Sequence, residues 1–309
     1  MRLNDLTILL TGSTGFIGSH LSRKLELKYQ ILRHGRKNLQ TICKKTYFRL
    51  DVTGCSNWKE YLKLVDVVIH LAASVHNKSS NQDLFNEVNV NGTLALAMQA
   101  ADAGVKRFIF ISSITVNGES TAPGFVFKPN DSHNPHTPYA LSKSEAEQGL
   151  MKISKDTGME VVIIRAPLVY GLKAPANFGQ LIRLVHKNIP LPLGAIHNKR
   201  SLVGVDNLVD LITTCIDHPK AANQIFLVSD DHDISTSDLL KTMIVAAGNK
   251  PMLVPVSVGV LRFLARFLGK SSVIDRVSSN LQVNINHTKD TLGWKPLVSF
   301  EEGIRRCFK

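Results

Sequence analysis

Tyr139 and Lys143 stand four residues apart in the run Tyr139-Ala140-Leu141-Ser142-Lys143. On a helix that spacing puts both side chains on one face. An ammonium beside a phenol favours the phenolate and lowers its pKa. A phenol tuned in this way can exchange a proton with a carbinol or carbonyl oxygen. Ser113 ends an apolar run upstream and can donate a hydrogen bond to that same oxygen. Tyr-x-x-x-Lys alone is common on solvated helix faces, so the pair gains meaning only from its context.

That context begins at Thr11-Gly12-Ser13-Thr14-Gly15-Phe16-Ile17-Gly18, which follows an apolar strand and opens a helix. In such a loop the first glycine allows a tight turn and the second lets backbone approach a pyrophosphate. The third lets helix and strand pack closely. The helix N-terminus then offers free N–H groups and a positive dipole end to phosphates. The pattern predicts a dinucleotide cradle of Gly12, Thr14, Gly15, Phe16, Ile17 and Gly18, and hence hydride chemistry beside Tyr139.

An acid roughly twenty positions beyond the glycines reads the ribose of NAD, whereas an Arg accommodates the 2′-phosphate of NADP. The run 32–37 holds Arg33, Arg36 and Lys37 and no Asp or Glu. We therefore expect NADP(H) held by Arg36, with Arg33 as an alternative register, and NAD(H) as the competing cofactor. Asp51 and Val52 are placed near the adenine. Leu71, Ala72 and Ala73, ending the fourth strand, are placed along the pyrophosphate and ribose.

The elements that must position these groups alternate. Strands are expected at 7–11, 30–35, 47–51, 65–72, 107–112 and 160–165, with helices at 18–27, 84–103 and 139–157. Such βα alternation predicts an α/β fold, a Rossmann-type doubly wound parallel sheet. Beyond Pro167 the pattern breaks into short segments with helices near 178–186, 205–217 and 235–247. The expected organisation is a dinucleotide-binding domain over 1–166 and a smaller C-terminal substrate-binding lobe over 167–309, partly interleaved with the sheet.

Composition narrows the partners. Of 309 residues, 37 are Lys or Arg and 25 Asp or Glu, a net charge of +12. The basic residues are scattered and lack an aromatic-and-basic nucleic-acid module, so phosphorylated small ligands are expected and nucleic acid is not. Four widely spaced cysteines show no metal-ligand spacing, and reduced thiols without a metal site are expected. The apolar run 6–10 is too short for a signal peptide, which suggests a cytoplasmic protein. No stretch reaches the length of a membrane span. Residues 256–268, apolar with Arg262 and Arg266, could touch a membrane surface, but a helix packed on the second lobe is the favoured reading.

Together TGSTGFIG, HLAA at 70–73, NVNGT at 89–93, ISSITVNG at 111–118, YALSK at 139–143, RAPLVYG at 165–171, RSLVGVDNLVDLI at 200–212 and LGWKP at 292–296 carry a resemblance. The chain resembles the extended short-chain dehydrogenase/reductases, in their sugar-nucleotide epimerase/dehydratase/reductase branch. The resemblance implies Tyr139 as acid/base, Lys143 on the nicotinamide ribose, and Ser113 on the reacting oxygen. It also implies Asn89 as cofactor support, with Ile111, Pro167 and Val169 around the nicotinamide pocket. For a nucleotide-sugar substrate it implies Arg200 at the diphosphate and Asn177 and Phe178 at the phosphate and base. Arg276 is a weaker second phosphate contact, and His76 and Asn117 are sugar candidates by position. A homodimer through 92–103 and 139–155 is implied as well.

Three reactions compete. A 4,6-dehydratase of this branch carries Thr-Asp-Glu where this chain has Ser113-Ile114-Thr115, and Asn117 replaces a usual Tyr. The basic 33–36 region favours an NADP(H)-dependent reductase of a UDP-4-keto-6-deoxy-HexNAc, as in surface-polysaccharide precursor synthesis. The alternative is a UDP-glucose or UDP-N-acetylglucosamine 4-epimerase with tightly bound NAD. A non-catalytic NADP-binding regulator is remote, because it would typically lack the Tyr or Lys, and Arg200 argues against a reductase of hydrophobic ketones.

Overall fold

Apolar residues run without interruption through the central strands and feed two cores, one on each face of a sheet. In a computed structural model, which describes residues 6–35, 46–75, 82–267, 269 and 271–309 and only the backbone at 176 and 177, seven strands form this sheet. They are β1 (Thr7–Thr11), β2 (Gln30–His34), β3 (Tyr47–Phe48), β4 (Val67–His70), β5 (Arg107–Ser113), β6 (Glu160–Ala166) and β9 (Gln224–Leu227). Their order is β3-β2-β1-β4-β5-β6-β9 and every pairing is parallel. The expected doubly wound parallel sheet is what forms.

Successive residues alternate between faces. Ile8, Leu10, Ile69, Ile109 and Ile164 face one core. It is covered by α1 (Phe16–Leu25), α7 (Val205–Cys215) and α11 (Asn286–Leu292). Leu9, Val68, Phe108, Phe110 and Ile163 face the other, under α2 (Lys59–Leu62), α4 (Gly92–Asp102) and α5 (Pro138–Thr157). Each such side chain contributes about 1.5–3 kcal/mol by leaving water.

Two local features set the site. Helix α5 starts where it does because the Thr137 hydroxyl accepts from Ala140 N and Pro138 fills the first turn, where its missing N–H costs nothing. That start puts Tyr139 at the helix mouth. The single helix expected over 84–103 is instead three pieces: α3 (Gln82–Phe85), a π-helical stretch Asn86–Asn91, and α4. Such wide turns are frequent at functional sites.

The second half forms a smaller sheet of β7 (Leu168–Tyr170), β8 (Arg200–Gly204) and β10 (Asp233–Ile234) in the order β10-β8-β7. With α6 (Ala176–His186), α8 (Thr236–Ala246) and α12 (Phe300–Arg306), it encloses a third core around Tyr170, Phe178, Met243 and Phe300. The chain between them returns to the large sheet as β9. Helices α9 (Val258–Phe267) and α10 (Ser271–Ser278) stand outside this core.

Among the described residues no helix is long and apolar enough to cross a membrane, and no cluster of His, Cys, Asp and Glu could hold a metal ion. Cys55, Cys215 and Cys307 are free thiols; Cys43 lies outside the described residues.

Candidate active site

The strand order reverses between β2 and β4 around β1, and open α/β sheets bind ligands at such a switch point. There Gly12 takes φ +67°, and a Cβ on it would lie 2.8 Å from Ala72 N. Gly18 leaves no room either, because a Cβ would overlap the Gly12 carbonyl oxygen. Strand, loop and helix are thus pressed together as a phosphate cradle requires. A cleft of 540 Å³ opens on it, lined by Gly12, Thr14, Gly15, Asp51, Val52, Leu71, Ala72 and Ala73, with His34 and Gly35. The backbone set and its size fit a dinucleotide. Phe16 and Ile17 instead pack into the core behind the helix. Gly18→Ala should displace the loop, costing about 1–3 kcal/mol of stability and weakening nucleotide binding; thermal melting with and without dinucleotide checks it.

Buried His70 ties the cradle together. Its Nδ1 lies 2.8 Å from Thr11 Oγ1 and its Nε2 3.0 Å from Thr93 Oγ1. Thr11 Oγ1 in turn accepts from Leu71 N and Ala72 N at 3.2 Å each. Burial holds the imidazole well below its ordinary pKa, so it is neutral.

Arg33 requires a correction. Its guanidinium donates to Ser22 Oγ at 2.7 Å and Thr46 Oγ1 at 3.2 Å and pairs with Glu26. It borders a separate depression of 790 Å³ at the other end of the strands, with Glu26, Tyr29 and Tyr61. The pleat turns it away from the cradle. Arg33→Ala should leave dinucleotide affinity within about twofold while lowering the melting temperature, because only a partly exposed pair is lost; a fluorescence titration tests this. Arg36 and His76 lie outside the described residues.

Tyr139, half-buried, stands at the start of α5 with Phe85 edge-on, the ring centroids 6.3 Å apart. Ser113 ends β5 and caps the turn Ile114–Val116: its Oγ accepts from Thr115 N at 3.3 Å and Thr115 Oγ1 at 2.9 Å. Both contacts use Ser113 as acceptor, so its own O–H can donate. Asn89, on the π-helical stretch, accepts from Ser74 N at 2.8 Å and donates to Ser74 O and Ser142 Oγ at 3.0 Å each. It joins the loop after β4 to the helix between Tyr139 and Lys143. Ile111 lies on β5 and Val169 on β7, with Pro167 between β6 and β7; Ile111 and Pro167 are buried.

Lys143 differs from expectation. Its ammonium lies 3.9 Å from the centre of the Phe110 ring, fully enclosed. Burial lowers its pKa to about 7, with Glu147 acting to raise it. The Tyr139 phenol, withdrawn from water, is pushed up to about 12 rather than down. Desolvation by burial is the largest cause of both shifts and outweighs the attraction that the spacing suggests. Lys143 binds fewer protons folded than unfolded between pH 7 and its ordinary 10.5. Its contribution to stability therefore rises with pH across that window, by at most about 1.4 kcal/mol per pH unit. Lys143→Met should flatten that slope and be more stable than the parent near pH 6–7 while losing turnover; denaturant melts across pH check both.

A buried cluster not anticipated from the sequence lies beneath. Arg165 donates to Glu147 at 2.7 Å, to Asn117 Oδ1 at 2.9 Å and to Pro129 O at 3.1 Å, and meets His133 Nε2 at 2.6 Å. Ser112 bonds Glu147 as well. Asn117, with Nδ2 on Asp131 O at 3.0 Å, is therefore an internal brace and not a sugar contact. The one available signal was Glu147 itself, a turn beyond Lys143 on the same helix face. The Phe178 ring is fully buried against Tyr170, 5.5 Å between centroids, so its side chain is not displayed to a ligand. The Asn177 side chain lies outside what is described.

Arg200 is held by carbonyls rather than a carboxylate. Its Nη1 donates to Arg276 O at 3.0 Å and Ser279 O at 3.2 Å. Burial and the nearby Arg276 charge both lower its pKa. Two guanidiniums close together, with no acidic partner among the described residues, suit a polyanion.

Residues 8–229 match the family model described as the NAD dependent epimerase/dehydratase family. A Vibrio cholerae protein named UDP-glucose 4-epimerase is 48% identical, across 97% of this chain and 94% of its own. The solved UDP-glucose 4-epimerase of Thermotoga maritima with UDP-glucose superposes with TM-score 0.76, at 22% identity over 98% of this chain and 97% of that one. The Thermus thermophilus UDP-glucose 4-epimerase complex with NAD gives TM-score 0.76 at 23% identity, over 98% of each. With its cradle and its Tyr-Lys helix, the chain belongs to the NAD-dependent epimerase/dehydratase family of sugar-nucleotide enzymes.

Proposed function

We propose that this chain is a 4-epimerase of a UDP-hexose or UDP-N-acetylhexosamine that keeps its nicotinamide dinucleotide through the cycle. The observation that carries this reading is the 48% identity, along nearly the full chain, to the V. cholerae protein named UDP-glucose 4-epimerase. It moves the weight from the reductase expected from the 33–36 region to the epimerase.

In this reading Gly12, Gly15, Leu71 and Ala72 of the cleft would hold the dinucleotide, which when bound would supply the hydride chemistry at C4 of the sugar. Tyr139 removes the C4 hydroxyl proton and gives it back, while Ser113 donates to the same oxygen. Lys143 and Asn89 hold the ribose side and the helix mouth in register. Arg200 and Arg276 clamp the diphosphate, leaving the sugar free to present either face.

Incubating the protein with UDP-galactose, and separately with UDP-N-acetylglucosamine, should yield the C4 epimers with no added cofactor and no net oxidation. A second reading keeps one sequence observation in its favour: residues 30–36 carry no carboxylate to read an NAD ribose. If the protein instead consumes NADPH stoichiometrically with a UDP-4-keto-6-deoxy sugar, it is the reductase. We also propose a homodimer through α4 and α5, where Met98 and Leu141 are exposed; a monomeric mass by light scattering would contradict it.

A further inference from the structure

Helix α9 carries two apolar stripes. Leu261 and Ala265, four apart, face inward and are buried. Val260, Phe263, Leu264 and Phe267, spaced as i, i+3, i+4 and i+7, face outward and are 50%, 58%, 54% and 76% exposed. A helix that only covered a core would show the second face polar. Val273 on α10 and Val254 before α9 are exposed as well. Contiguous patches of this kind mark interaction sites.

The charge around the stripe selects the partner. Residues 250–276 contain Lys250, Arg262, Arg266, Lys270 and Arg276 against Asp275 alone among acids. Arg262 bonds Asp275 at 2.7 Å and so ties α9 to α10. Among the described residues, Arg266 and Arg276 have no acidic partner. A ten-residue helix with Phe and Leu outward and Arg on its flank has the build of a helix lying in a bilayer interface, and is too short to span one. A second copy fits less well, since a self-complementary contact would set these cations against their own equivalents.

We propose that the α9–α10 face docks reversibly on an anionic membrane surface. The apolar stripe enters the headgroup boundary and Arg266 on α9 meets lipid phosphates. Because Arg200 is bonded to the carbonyls of Arg276 and Ser279 at the end of α10, docking sets the Arg200 end of the substrate site close to the bilayer. This holds whichever sugar nucleotide the site takes.

The test is sedimentation of the intact protein with vesicles of phosphatidylglycerol and phosphatidylcholine in equal parts, and of phosphatidylcholine alone. The protein should pellet with the anionic vesicles and much less with the neutral ones. The double variant Phe263→Ser/Phe267→Ser should bind the anionic vesicles about tenfold or more weakly, and Arg266→Gln should lose most of the preference for anionic lipid. Both variants change exposed residues and should keep the parent melting temperature and turnover of soluble substrate. Equal partition of parent and double variant, or no sedimentation of the parent, overturns the proposal. So does a self-assembly without vesicles that the double variant dissociates, which would make a second copy the occupant.

Discussion

Tyr139→Phe should reduce turnover by about 10²–10⁴-fold, the usual worth of a positioned proton donor and acceptor. The ring remains, so its edge contact with Phe85 and the start of α5 remain. Only the oxygen that meets the C4 hydroxyl is lost. Melting temperature and dinucleotide affinity should stay near the parent values. A phenol pushed up to about 12 by burial makes a further expectation: proton transfer through Tyr139 improves as pH rises, so the parent rate should climb on the alkaline side and the Phe variant should not. A variant that keeps more than about a tenth of parent turnover would remove Tyr139 from the chemistry.

Glu147→Leu should be the most destabilising change near the site. It strips the counter-charge from Arg165, whose side chain is 1% exposed, and leaves a guanidinium uncompensated in the core. Breaking a buried pair by removing one partner costs about 3–5 kcal/mol. Arg165→Leu should cost a similar amount for the converse reason. The double variant should recover a large part of the loss, since removing both charges of a buried pair is often close to neutral. Urea denaturation of the four proteins measures the coupling, and additive losses would contradict the pairing.

How far the sequence could be read depended on how local each constraint is. The glycine loop was legible because Gly12 and Gly18 answer to atoms within a few residues and to the strand end they touch. Helix α5 was legible because Thr137 and Pro138 mark its start. The parallel strands showed themselves as apolar runs, and for the same reason concealed their parity. With both faces buried there is no polar alternation to say which way Arg33 points, and it points at Glu26. The surroundings of Asn117 and Phe178 were not legible because their partners, Arg165 and Tyr170, depend on tertiary packing rather than motif. The π-helical stretch at Asn89 is likewise held by Ser74 and Ser142, contacts that a periodic pattern does not reveal. The small lobe was least legible. Strands of two to five residues such as Asp233–Ile234 and Arg200–Gly204 carry too short a pattern to stand out from loops.

The most direct test follows the hydrogen itself. UDP-glucose deuterated at C4, incubated with the purified protein alone, should become UDP-galactose that still carries the deuterium at C4, with no net change in reduced nicotinamide. That outcome requires one bound dinucleotide to take and return the same hydride while Tyr139 handles the proton. If no C4 epimer forms from this sugar or its N-acetyl analogue, and NADPH is consumed one for one with a UDP-4-keto-6-deoxy sugar, the chain is a reductase and the epimerase account fails.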